Sequence, residues 1–191
     1  MRRTSIALSV LAAVAIGAAP VSNASASASA SASAPAKAPT PALNAGDAAA
    51  GWVPAPSAPW DKAAGLRCDF PVHGEPVVDD VVQRVLDTYP DGTAKRIAYK
   101  GDLVVRLTNT DTGAFYDADA GGTAVVDYRT DGSQLWYVLG PVLIGFGENS
   151  GTLARGLYTI DGVYTLEFSP TGYKTLTMVH GSTDELCSRI G

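Results

Sequence analysis

Short apolar runs, broken by turn signals about every 8–12 residues, constrain this 191-residue chain more than any other feature. The signals run from Tyr89-Pro90-Asp91-Gly92 through Lys100-Gly101-Asp102 and Asn109-Thr110-Asp111-Thr112-Gly113. They continue with Gly121-Gly122, Thr130-Asp131-Gly132, Glu148-Asn149-Ser150-Gly151, Asp161-Gly162 and Ser169-Pro170-Thr171-Gly172. Each supplies the glycine or the Asx side chain that a tight turn between antiparallel strands needs. Between them the residues alternate. Leu103, Val105 and Leu107 share one face, as do Ala124, Val126 and Tyr128, and Tyr164, Leu166 and Phe168. A period of two means strands with one buried and one wet face. The expectation is an all-β domain: an antiparallel meander of about eight or nine short strands forming a small barrel, with a two-sheet sandwich as the alternative.

Two more continuous apolar runs, Leu135 to Leu139 and Val142 to Phe146, are expected to lie centrally. Val78, Val81, Val82 and Val85 have helical spacing, but their β-branching and the Tyr-Pro-Asp-Gly turn behind them favour a strand over Gln83 to Thr88. Ser182 with Glu185 three residues on has the form of a capping box, so a short C-terminal helical turn is expected at Ser182–Cys187.

The first part of the chain has a different composition. Arg2 and Arg3 precede an apolar run, Ile6 to Ala19, ended by Pro20 and followed by small residues suited to a signal peptidase. Residues 1–24 read as a secretory signal peptide, too short and wrongly flanked for a membrane span. The mature chain is expected to be secreted, extracellular and released without a membrane anchor. Residues 25–64 alternate Ala and Ser and then carry Ala-Pro pairs, which offer nothing large to bury, so they read as a disordered linker. Trp52 and Trp60 stand out within it and are expected to pack weakly on the domain edge or stay exposed, with a docking anchor for a partner as the alternative. Residues 65–191 form one β domain by length.

The two cysteines, Cys68 and Cys187, bracket that domain. In a secreted chain a count of two allows one pairing, so a disulfide is expected. Its loop spans 119 positions. It therefore ties the first strand to the last element.

The chain has 14 basic and 19 acidic residues, a net charge of −5. Without Arg2 and Arg3 the balance is 12 against 19. Nucleic acid and anionic membrane, which need a basic patch, are disfavoured as partners. A monomer that binds an extracellular ligand or protein is expected.

No complete catalytic set is legible. His73 and His180 are the only histidines. Ser150 sits one place late for a Gly-x-Ser-x-Gly elbow. Asp117 and Asp119 would share a strand face about 7 Å apart, but a solvated pair beside a Gly-Gly turn is the plainer reading. Asp117-x-Asp119-x-Gly121-Gly122 has the form of a calcium-loop start, yet Tyr128 stands where the closing acid belongs. No zinc set remains once the cysteines are bridged. Aromatics are plentiful: Tyr99, Phe115, Tyr116, Tyr128, Trp136, Tyr137, Phe146, Tyr158, Tyr164, Phe168 and Tyr173. Buried phenols need hydrogen-bond partners, so some of these tyrosines are candidates for a binding pocket. No catalytic, metal or cofactor residue is assigned.

The landmarks Cys68-Asp69-Phe70-Pro71-Val72, Leu107-Thr108-Asn109-Thr110-Asp111-Thr112-Gly113 and Asp184-Glu185-Leu186-Cys187 resemble those of an uncharacterised family of small secreted actinobacterial β-rich proteins. That family has a Cys-x-Phe-Pro-Val opening, a Thr-Asn-x-x-Thr-Gly turn and a C-terminal Cys. The likeness spans residues 66–191. It implies a β-rich fold with a terminal disulfide and carries over no catalytic residue. Asp119-Ala120-Gly121-Gly122 departs from the Ser-Gly-Pro found at that place in the family.

The expectation that follows is a secreted, non-enzymatic β domain that binds a small ligand, a polysaccharide or a protein. The alternatives are a small hydrolase using Asp117 and Asp119 or Glu148, and a protease inhibitor presenting Glu148 to Thr152 or Ala120 to Gly122.

Overall fold

The computed structural model describes residues 51–191. The signal-peptide assignment and the linker before residue 51 lie outside the described residues. Twelve strands and one helical turn follow in chain order within them. They are β1 (Val53–Pro54), β2 (Trp60–Lys62), β3 (Val72–Asp79), β4 (Val82–Thr88), β5 (Ala94–Lys100) and β6 (Leu103–Asn109). Next come β7 (Phe115–Asp119), β8 (Thr123–Tyr128), β9 (Gln134–Leu139), β10 (Val142–Phe146), β11 (Gly156–Phe168), β12 (Lys174–Glu185) and α1 (Cys187–Ile190).

The all-β antiparallel meander holds, and it is arranged as two sheets. The larger sheet has the order β1-β4-β5-β8-β9-β11-β10, with β12 also on β11. The smaller has the order β2-β3-β6-β7. Three ribbons cross from one sheet to the other with only two or three residues between strands: β3 to β4, β5 to β6, and β7 to β8. The crossing needs close backbone approach. Gly101, at φ +129, lies against β3–β4, where a Cβ would come within 2.3 Å of the Asp80 carbonyl oxygen.

The sheets are not closed into a barrel. Closure would need the first long ribbon to hydrogen-bond to the last. Instead β1 occupies the free edge of β4 and β2 that of β3. The residues doing this, 53–62, fall inside the span that composition assigns to the linker. Two tryptophans distinguish this stretch. Trp60 lies flat on Gly74, where a Cβ would sit 2.3 Å from its ring, and it packs against the core of the smaller sheet. Trp52 carries the Lys100 ammonium 4.7 Å from its ring centre. The strand count exceeds expectation for the same two reasons: the ribbons split where they change sheets, and β1 and β2 are added.

The Gln83–Thr88 strand is present as the body of β4. Leu135–Leu139 is central, as β9 between β8 and β11, whereas β10 ends its sheet path. Its continuous apolarity has another cause. Ile144 and Phe146 enter the larger sheet's core while Leu143 enters the other core, so both faces are covered.

One core centres on Val126, Val138, Phe146, Ile160, Tyr164 and Leu166. The other centres on Val72, Val105, Leu107, Leu157, Leu186 and Ile190, with Cys68 among them. Cys68 and Cys187 are bridged, with their α-carbons 5.4 Å apart. The capping-box expectation is corrected. Ser182 to Glu185 stay in β12, paired with Tyr158 to Asp161 of β11, and the helical turn starts at Cys187. Glu185 caps from outside: its carboxylate accepts from the Cys187 and Ser188 amides at 2.9 and 3.0 Å.

Candidate functional site

The alternation that puts Ala124, Val126 and Tyr128 on one face of β8 turns that face toward the smaller sheet. Leu103 and Val105 of β6 look back at it. Between them lies a cavity of about 420 Å³, bounded also by Tyr99, Trp136, Val142 and Leu143. Ala120 and Ala124 keep it open, since larger side chains at these inward positions would fill it, while Gly122 allows close backbone approach, a Cβ there coming 2.5 Å from the Pro141 carbonyl oxygen. A strap closes one side. Ala55, Ser57, Ala58 and Trp60, the link from β1 in one sheet to β2 in the other, line that side. The strap is tied down by the Ala55 amide to the Val81 carbonyl at 2.9 Å and by the Ser57 amide to the Asp79 carboxylate at 2.6 Å.

The cavity wall is apolar apart from Ser57 on the strap and a tyrosine pair. The hydroxyls of Tyr99 and Tyr128 lie 2.9 Å apart and share one hydrogen bond. That bond uses one of two hydroxyl protons, which leaves the other for an acceptor in the cavity. Burial, and then the bond to Tyr99, push the Tyr128 phenol far above its ordinary pKa, so it stays protonated. Tyr89 donates to the Tyr128 carbonyl at 2.9 Å and holds the backbone beneath the pair. Trp136 is fixed by its indole N–H to Gln134 at 2.9 Å and by the Phe168 ring, 5.0 Å away between centres.

The other sequence candidates lie elsewhere. Asp117 is clamped by the Arg106 guanidinium across the β6–β7 ladder at 2.7 and 2.8 Å, which holds its carboxyl below the usual range. Asp119 accepts from the Gly121 amide at 2.9 Å. The two acids are turn and ladder supports, and neither lines the cavity. His73 bonds Asp61 at 2.8 Å on the smaller sheet, while His180 is exposed on β12 of the larger one. Ser150 closes its own turn with Gly147. Glu148 reaches Arg155 at 3.7 Å. Among the described residues no three His, Cys, Asp or Glu converge as a metal site.

The inhibitor loops are held down. In Glu148–Thr152 the Thr152 amide donates to the Lys174 carbonyl of β12 and the Ser150 carbonyl accepts from the Lys174 amide, both at 2.9 Å. Ala120 to Gly122 form the crossing between β7 and β8. The buried tyrosines outside the cavity spend their protons locally, Tyr164 on the Ile160 carbonyl at 3.0 Å and Tyr158 on that of Ala154 at 3.2 Å.

Sequence reasoning anticipated tyrosines at a pocket. It missed the strap, because Ala-Pro composition hides it. The available signal was Trp60, a large apolar side chain that a solvated linker has no use for. Comparison of the chain with protein-family models, with curated proteins and with solved structures yields no match.

Proposed function

We propose that this protein is a secreted, non-enzymatic binding domain that takes a small, neutral, apolar molecule carrying one acceptor oxygen into the cavity between its sheets. The observation that carries this reading is the largely apolar cavity with the Tyr99–Tyr128 pair and its uncommitted proton in its wall. The volume falls within the range of about 300–1,000 Å³ common to small-molecule sites. Apolar walls supply affinity by burial, and one buried donor supplies orientation. The disulfide supports an oxidising compartment. Among the described residues no helix is long and apolar enough to cross a membrane.

The test uses 6-propionyl-2-dimethylaminonaphthalene, a neutral aromatic ketone whose emission reports polarity and hydrogen bonding. Saturable binding with a blue shift is the expected result. Tyr99→Phe combined with Tyr128→Phe removes both hydroxyls and weakens binding by about tenfold or less, the worth of one hydrogen bond. Ala124→Leu fills the cavity and abolishes binding. Equal binding by wild type and Ala124→Leu, with Ala124→Leu shown to be folded by its near-UV dichroism, would falsify the reading.

A further inference from the structure

Beside the cavity, on the far side of Trp60 and Leu143, lies a second concavity of about 340 Å³. Its wall includes Lys62, Arg67 and Lys174, together with Trp60, Leu143 and Leu157. We propose that it binds a small organic anion, whose charged group is held by Lys62, Arg67 and Lys174 and whose apolar part rests on Trp60, Leu143 and Leu157.

Charge pairing elsewhere in the molecule shows why this place is unusual. Lys95, Arg96, Arg106, Arg129, Arg155 and Arg189 each have a carboxylate partner within 3 Å. The protein is acidic, at −5, so partners are abundant. Yet three cations, two from residues 62–67 and one from β12, share one concavity with no carboxylate in its wall. Among the described residues none of the three has an ion pair. Lys62 stands 5.8 Å over the Trp60 ring. Lys174 stands 5.7 Å from each of the Phe146 and Phe168 rings. Arg67 spends one N–H on its neighbour's carbonyl, that of Leu66, at 2.7 Å.

Convergence of like charges at a half-buried place is unfavourable until an anion joins them. Lys174 registers that cost: burial, and then the Arg67 charge, hold its ammonium below the ordinary lysine pKa. The backbone is shaped to accept the guanidinium. Gly145 lies beneath it, where a Cβ would come 2.6 Å from Nε, and Gly147 lies below Nη1, where a Cβ would come within 3.0 Å. A planar fork flanked by two ammonium groups suits a carboxylate or a phosphate ester alike. The apolar wall selects an organic anion over a free inorganic one.

The site stands apart from the cavity reading and is tested separately. Octanoate, octyl phosphate, inorganic phosphate and 1-octanol are titrated by calorimetry in low salt. At least one of the two octyl anions binds, and the stronger of them names the head group. Inorganic phosphate and 1-octanol bind at least about tenfold more weakly than that anion. Arg67→Gln and Lys174→Gln each weaken the octyl anion by about tenfold or more, the worth of a charge-assisted contact, while binding of the naphthalene ketone in the inter-sheet cavity is unchanged. Lys62→Gln, at the end of β2, gives the same direction should either of the others unfold. Binding of neither octyl anion, equal binding of 1-octanol, or octyl-anion binding unaffected by all three substitutions overturns the proposal.

Discussion

The two sheets face each other at two places and treat the space between them in opposite ways. At the disulfide end it is filled. Leu107, Leu186 and Ile190 are each 0% exposed, and Asn109 reaches from β6 to the last turn, its amide donating to the Ile190 carbonyl at 3.0 Å. At the strap end the inward positions hold Ala120 and Ala124, and a cavity remains. Strand alternation turns residues inward at both ends, but the filled end adds Leu186 and Ile190 from the terminal turn, whereas the open end has alanines at inward positions. Empty apolar space forfeits dispersion contacts and lowers stability. The strap end therefore gives up stability that the disulfide end gains, which is the pattern of a binding site beside a structural anchor.

The comparison breaks first at the anchor. Replacing both cysteines, Cys68→Ser with Cys187→Ser, is expected to cost about 4–5 kcal/mol in the chain-entropy model. Urea unfolding measures it. A loss below about 1 kcal/mol would mean that packing alone holds α1, and the staple would not distinguish the two ends. Next in size is Leu186→Ala, which opens a void in the filled end and costs about 2–5 kcal/mol. Its counterpart, Val142→Ala on the cavity wall, costs less, because that side chain already faces space on one side. Equal losses from the two would erase the contrast. Asn109→Ala comes third, at about 1–3 kcal/mol. It strands the Ile190 carbonyl and the Asp111 amide, which the Asn109 side chain serves at 3.0 Å each.

The filled end was the more legible of the two. Cysteine count gave the staple, and alternation over Leu103 to Leu107 put Val105 and Leu107 inside, where they are. Turn residues located most strand ends, since an Asp-Gly or Asn-x-x-Gly turn has few other uses. The open end was not legible. Whether a curved meander closes depends on which edge strand is covered, and here it is covered by residues 53–62, whose Ala-Pro composition predicts no strand. Nor does the alternation show that β10, an end strand, is buried on both faces. The cationic site was equally hidden, because Lys174 is far in sequence from Lys62 and Arg67. Their lack of carboxylate partners appears only once Lys95, Arg96, Arg106, Arg129, Arg155 and Arg189 are seen paired. At Ser182 the local signal was real but overruled: pairing with β11 satisfies more backbone groups than one extra helical turn would.

The smallest expected effect concerns pH, and it sharpens the contrast between the outer faces of the two sheets. Each carries a cross-strand arginine–aspartate clamp, Arg96–Asp127 on the larger and Arg106–Asp117 on the smaller. In both, the hydrogen bond from the arginine holds the carboxyl below its ordinary pKa. A carboxyl lowered in the folded state takes up its proton later than the same group in the unfolded chain. The stabilisation is complete above the unfolded value, near about 4, and is lost as pH falls through the lower folded value. Melting temperature is therefore expected to be insensitive to these pairs from pH 7 down to about 5 and to fall below about 4. Asp127→Asn and Asp117→Asn should each lower the plateau slightly and flatten the acid limb. Asp127 is the less exposed, its side chain 20% accessible against 40% for Asp117, so water screens its clamp less. Its substitution should flatten the acid limb more. The reverse order would show that the smaller sheet, tied to the disulfide, also depends more on its surface charge pairs than the larger sheet does.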